Sequence, residues 1–135
     1  LDALSEHNAY MQALRDHDVD HIVNLHKDGA AIAIRNYLTA ESSLLNVVGH
    51  DDIRAHFVAL FDKYKVLDIE MVNRVVETWY VFAELRWIVE ERATGRKLEF
   101  CTADLNSMDP ERKYWVRTGA GTDPVEAYDH KTPTL

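Results

Sequence analysis

The run Leu98, Glu99, Phe100, Cys101, Thr102, Ala103, Asp104, Leu105, Asn106 sets acidic side chains among apolar and small ones. Alternate residues of an extended strand face the same side. Asp104 would therefore share a face with Leu98, Phe100, Thr102, Asn106 and Met108, and the other face would carry Glu99, Cys101, Ala103, Leu105 and Ser107. Parity alone leaves both orientations open. Turned inward, Asp104 loses water, its pKa rises, and it becomes a proton donor or a poised base near neutral pH. Turned outward, it is a solvated edge aspartate.

Other chemistry-bearing residues have simpler readings. His17 and His21 stand four apart among Asp16, Asp18 and Asp20, a spacing that can hold zinc on a helix. Asp18 reads as a helix start, however, which leaves His17 in the preceding turn and off that face. His50 with Asp51 and Asp52 reads as the capped entry to a helix. The sequence has no Gly-rich phosphate loop, no Gly-x-Ser-x-Gly elbow and no paired-cysteine metal motif, so acid and base chemistry is what the residue types leave. We expect no cofactor and no metal.

Several elements must position these groups. Tyr10, Met11 and Leu14 recur at helical spacing after Ser5, a candidate N-cap, and Asp18 opens a second short helix ending near Gly29. The segment 30–37 reads as a first strand and 42–48 as a second. Ile53, Phe57, Leu60, Phe61 and Tyr64 mark one face of a third, amphipathic helix. Period-two alternation then takes over in Leu67, Ile69 and Met71, in Leu85, Trp87 and Val89, and in Leu98, Phe100 and Thr102. Turn residues at Ala93 to Gly95 and at Asp109 to Glu111 make antiparallel hairpins of these strands, and Tyr114 to Thr118 supplies the last one. Helices first and a meander afterwards give an α+β fold, a curved antiparallel sheet wrapped around N-terminal helices and enclosing an apolar pocket. One domain over 1–118 is expected, with 119–135 as an extended tail.

Composition bounds the partners. A chain of 135 residues with 47% hydrophobic and 28% charged residues is globular, and its net charge of -8 disfavours nucleic acid and anionic membrane surfaces. Cys101 is the single cysteine and reads as a buried, inert thiol in a reducing compartment. No apolar run approaches the roughly 20 residues that span a bilayer, and the expected location is cytoplasmic.

The stretch Tyr10, Met11, Gln12, Ala13, Leu14, followed by Asp18, Val19, Asp20, Ile22, Val23 and Leu25, resembles the opening helical hairpin of the nuclear transport factor 2-like superfamily. The spacing of Gly49, Ile53 and Phe57, and Gly95, Arg96, Lys97 leading to Asp104, are similar to its ketosteroid isomerase and SnoaL-like polyketide cyclase branch. In ketosteroid isomerases a helix-one tyrosine and a protonated late-strand aspartate hydrogen-bond a developing oxyanion. The resemblance implies those positions for Tyr10 and Asp104. The isomerases' catalytic base falls on Ile34, which cannot take a proton, so Asp104 itself would be the base, with Tyr10 steadying the substrate oxygen or delivering a proton.

Arg117, on the adjacent last strand, can turn toward Asp104, keep it ionised and hold an anionic group, or it can lie on the surface. Asn106 can complete the polar patch, and His26 can face the cavity. Ile34, Phe57, Phe61, Trp87, Phe100 and Met108 would form the apolar wall that binds substrate. The implied activity is a cofactor-independent isomerase or lyase that moves a proton on a hydrophobic cyclic or aromatic molecule. The alternative is a non-catalytic ligand-binding or assembly module of the same fold. A buried Asp104 beside Tyr10 separates the two. The resemblance also implies a homodimer or higher homo-oligomer, with the aromatic surface near Trp79 and Trp115 compatible with pairing.

Overall fold

A computed structural model describes residues 2–35 and 44–127. Helix α1 (Ala3–Asp16) is capped by Asp2, whose Oδ1 accepts from the Ser5 backbone N–H at 2.7 Å, so the helix starts ahead of Ser5 and Ser5 lies within it. Its buried face carries Ala3, His7, Tyr10, Met11 and Leu14, and it ends where His17 adopts a left-handed φ of 55°. Asp18 caps α2 (Val19–Asn24) as expected, but that helix stops five residues before Gly29. Strand β1 (His26–Arg35) begins at once, because pairing with the distant Tyr114 makes the His26 segment extended. Strand β2 (Leu44–Val48) follows; residues 36, 37, 42 and 43 of the expected strands lie outside the described residues.

Helix α3 (His50–Lys63) buries Ile53, Phe57, Leu60 and Phe61. Its N-cap is Gly49 at φ 89°, which makes no side-chain cap bond, and Asp51 and Asp52 complement the helix dipole in the first turn. Strands β3 (Tyr64–Val76), β4 (Tyr80–Glu91), β5 (Lys97–Met108) and β6 (Tyr114–Gly121) form the expected antiparallel meander. The sheet order is β2-β1-β6-β5-β4-β3, and its β1·β6 pair is parallel. A two-residue β7 (Val125–Glu126) pairs with β5, so residues after Gly119 continue the sheet. The helices cover one face of this curved sheet, which gives an α+β cone with its core between the two layers.

Two residues differ from the sequence expectation, Leu67 for a reason of register and Cys101 for one of composition. A bulge between Val66 and Asp68 shifts the parity of β3, so Val66 is buried and Leu67 is 40% exposed. Cys101 lies on the outer face of β5 and is half-buried, where a buried thiol had been expected. Trp79 and Trp115 are exposed, the latter beneath the Lys27 ammonium at 4.8 Å. No helix among the described residues is long and apolar enough to cross a membrane.

Candidate active site

The inner face of β5 carries Leu98, Phe100, Thr102, Asp104, Asn106 and Met108, which settles the parity question: Asp104 points inward and is 7% exposed. Its register neighbours are Ala83 on β4 and Gly119 on β6, the two smallest kinds of residue, so little stands over the carboxyl from either side. Arg117 follows the same logic. It pairs with Asn106 on one side and Ile32 on the other, which turns its side chain into the core, where it is 5% exposed.

A buried guanidinium needs acceptors for its N–H groups, and the sequence supplies three from three different elements. Nε donates to Asn106 Oδ1 at 2.8 Å, Nη1 to His26 Nε2 at 3.1 Å and Nη2 to the Tyr10 hydroxyl at 2.7 Å. The partners are themselves oriented. Asn106 Nδ2 donates to the Val81 carbonyl at 3.1 Å, and His26 Nδ1 donates to the Ile22 carbonyl at 2.7 Å, leaving Nε2 free to accept. The rings of Tyr10 and Tyr114 lie 4.2 Å and 5.2 Å from the Arg117 carbon, adding cation–π attraction. Burial first, and Arg117 second, push His26 down to about 3, so it is neutral.

Asp104 is treated differently. Its Oδ1 is buried and has no hydrogen-bond partner among the described residues. Burial raises its pKa to about 6, with Arg117 opposing. The Tyr10 hydroxyl is raised mainly by burial, while Arg117 pulls it down. Because Tyr10 accepts from Arg117, its own proton is left for another acceptor.

These groups open on a cleft walled by Ile32, Ile34, Phe57, Leu60, Trp87 and Phe100, with His56 and Thr102 at polar positions. Room for water-sized occupants amounts to about 50 Å³, within about 610 Å³ of space free of protein atoms once the mouth is counted. Trp87 and Phe100 stack with ring centroids 5.6 Å apart, and Trp87 Nε1 donates to Thr102 Oγ1 at 2.9 Å. Asp104 is the only carboxylate among the described residues lining the cleft.

The SnoaL-like domain profile matches residues 7–109, more than half of the chain. The chain belongs to the SnoaL-like family. No match to a curated protein was found. Among solved structures, the SnoaL-like chain is similar to an LEH-like epoxide hydrolase of Mycobacterium tuberculosis, at 10% identity and TM-score 0.71 over 89% of this chain and 82% of that one. It is also similar to SalBIII, described as an epoxide hydrolase/cyclase-like enzyme in pyran ring formation in the polyether salinomycin, at 16% identity and TM-score 0.74 over 89% and 90% of the two chains. A third relative is a protein of ketosteroid isomerase-like fold from Catenulispora acidiphila in complex with trimethylamine, at 10% identity and TM-score 0.69 over 84% and 82%. At these identities the likeness is one of fold.

Within the SnoaL-like chain, Tyr10, Arg117, Asp104, Ile34, Phe57, Trp87 and Phe100 meet at one cleft. Four other residues read as site candidates sit behind it. His26 and Asn106 hold Arg117 from its far side, and neither lines the cleft. Phe61 packs against Phe57 and His17, with centroids 6.0 Å and 4.7 Å away, and Met108 lies at the end of β5 beyond Asn106. Both are core residues because helix and strand carry them past the opening. His17 Nε2 accepts from the Val66 backbone N–H at 3.0 Å, which gives that ring a structural duty. The sequence reading passed over His56. It stands three residues after Ile53 and four before Leu60, a helical spacing that puts it on the apolar face, but a count of apolar residues skips it.

Proposed function

We propose that the protein is a cofactor-independent proton-transfer enzyme, an isomerase or lyase, for a hydrophobic cyclic or aromatic small molecule. The observation that carries this reading is a buried carboxylate with an unpartnered oxygen, opening on an apolar cleft beside a phenol held by a buried arginine. A carboxylate whose pKa stands at about 6 is ionised at neutral pH and remains a stronger base than an exposed one. It takes a proton from substrate carbon. The charge that develops on the neighbouring substrate oxygen meets the Tyr10 O–H, which Arg117 polarises, and one well-aimed donor of this kind contributes roughly 3 kcal/mol. The carboxylic acid so formed returns the proton to a second atom, which is isomerisation, or to a departing group, which is elimination.

The binding-module alternative expects Asp104 exposed and apart from Tyr10; their exposure of only 7% and 4% in one cleft favours chemistry. The test uses 5-nitrobenzisoxazole, whose N–O bond breaks and releases a coloured cyanophenolate when a base removes its ring C–H proton. Wild-type protein should open it at a rate that rises with pH to half its maximum near 6. Asp104→Asn should lose about 10²-fold or more. Equal rates for the two proteins, each shown folded by circular dichroism, would refute the assignment.

A further inference from the structure

His56 is an imidazole of the cleft that neither the Arg117 network nor the proposed proton transfer uses. It projects from α3, the helical layer, whereas Asp104 and Arg117 project from β5 and β6 in the sheet, so anything bound between the layers has His56 on one side and the carboxylate on the other. It makes no hydrogen bond with a described residue, and its ring lies against that of Phe57, at 4.9 Å between centroids. The ring is half-buried, so turning it into an apolar cleft costs it part of its water with no hydrogen-bond partner among the described residues in return. A ligand can supply what is missing.

The charges around it say what kind of ligand. Arg117 of β6 is the cation that faces it, Asp104 of β5 is the cleft's carboxylate, and the phenols of Tyr10 from α1 and Tyr64 from the start of β3 complete the titratable lining. Burial first, and Arg117 second, bring His56 down to about 4, so at neutral pH the imidazole is uncharged, with one N–H donor and one acceptor nitrogen. Arg117 and Asp104 balance each other. A cleft of zero net charge with apolar walls disfavours an ion and suits a neutral molecule.

We propose that His56 selects the substrate, its imidazole hydrogen-bonding a second polar group on a flat, uncharged, apolar molecule whose first oxygen lies against Tyr10 and Asp104. This rests on the proton-transfer reading of the same cleft and adds the substrate class: neutral ring compounds bearing two hydroxyl or carbonyl oxygens at opposite ends. Mono-oxygenated analogues lack the second grip. Carboxylates meet a neutral imidazole and a carboxylate already in place.

The experiment measures binding of 2-naphthol, 2,6-dihydroxynaphthalene and 6-hydroxy-2-naphthoate by calorimetry at pH 7.5, to wild type, His56→Leu and His56→Gln. For wild type the diol should bind about fivefold or more tightly than 2-naphthol, the return of one hydrogen bond, and the naphthoate at least about tenfold more weakly than the diol. His56→Leu should keep its affinity for 2-naphthol within about twofold, which also reports an intact cleft, and lose the diol's advantage. His56→Gln, which still donates and accepts, should retain part of it. A diol preference undiminished in His56→Leu overturns the assignment of His56 and leaves Asp104 untouched. Failure of wild type to bind 2-naphthol at all overturns the ligand site, and with it the proposed reaction.

Discussion

Two polar regions share one cleft and are built on opposite terms. Around Arg117, Asn106, His26 and Tyr10 each accept from the guanidinium, and backbone carbonyls orient the first two in turn. At Asp104 and His56, a buried carboxylate oxygen and a half-buried imidazole face the same space without a hydrogen-bond partner among the described residues. Satisfied groups hold a geometry; unsatisfied buried ones cost stability, and that cost is tolerated where they meet something else. Arg117→Met should break the first region most severely. It strands three acceptors and removes the cation that offsets Asp104, so we expect a loss of about 3–5 kcal/mol in urea unfolding. In whatever fraction folds, the midpoint of the pH–rate profile should move above 6, because Arg117 is what holds the Asp104 pKa down. A variant as stable as wild type with its midpoint unmoved would show that the network does not support the carboxylate.

Asp104→Asn probes the second region through stability. The folded-state pKa is raised from 3.8 to about 6, so between those values the native protein keeps a proton that the unfolded chain has released. Asp104 is therefore most compatible with folding at low pH, and stability falls as pH rises through about 6, by on the order of 3 kcal/mol. His7 and His26 run the other way: burial chiefly lowers both from 6.5 to about 3, so their contribution is present above 6.5 and lost as pH falls toward 3. Subtracting the Asp104→Asn stability curve from that of wild type cancels the histidines. The difference should grow in favour of Asn from pH 4 to pH 7 and then level off. A flat difference would mean that the carboxyl is solvated.

How much of this could be read from residues alone follows from the range over which each signal acts. The period of Ile53, Phe57, Leu60 and Phe61 marked α3, and the alternation through β4 and β5 marked strands, because a helix or strand with one buried face writes that period locally. The orientation of Asp104 was not legible, since Leu105 and Cys101 make the outer face of β5 nearly as apolar as a core face. It was fixed by which face the helices cover. His26 was misplaced at a helix end for a similar reason: the Tyr114 N–H donates to the Leu25 carbonyl at 2.9 Å from far along the chain, and no neighbour of His26 announces that pairing. Arg117 was legible as a candidate only through its charge. Its three acceptors come from α1, β1 and β5, a convergence that exists only in three dimensions.

Gly119 offers the smallest and sharpest break between the two regions. It sits on β6 directly opposite Asp104, two residues from Arg117, and its backbone is not in the left-handed region, so its requirement is space. A Cβ there would overlap the Ala103 carbonyl oxygen and stand 2.6 Å from Asp104 Oδ1 and 3.1 Å from its Cα. Rotation of the carboxyl relieves only its own contact; the Ala103 carbonyl is backbone and cannot yield as a flexible side chain does, so β6 must also shift locally from β5. Gly119→Ala should cost about 1–3 kcal/mol in stability through this crowding. If that shift stays at residue 119, the benzisoxazole rate falls as the carboxyl rotates while Tyr10 and Arg117 stay joined; if it reaches Arg117, the guanidinium leaves Asn106 and the pH midpoint rises as well. The pH–rate profile of this one variant therefore reports whether the open carboxylate and the closed arginine network can be separated. An unchanged rate at unchanged stability would mean that the carboxyl does not need the space that glycine leaves.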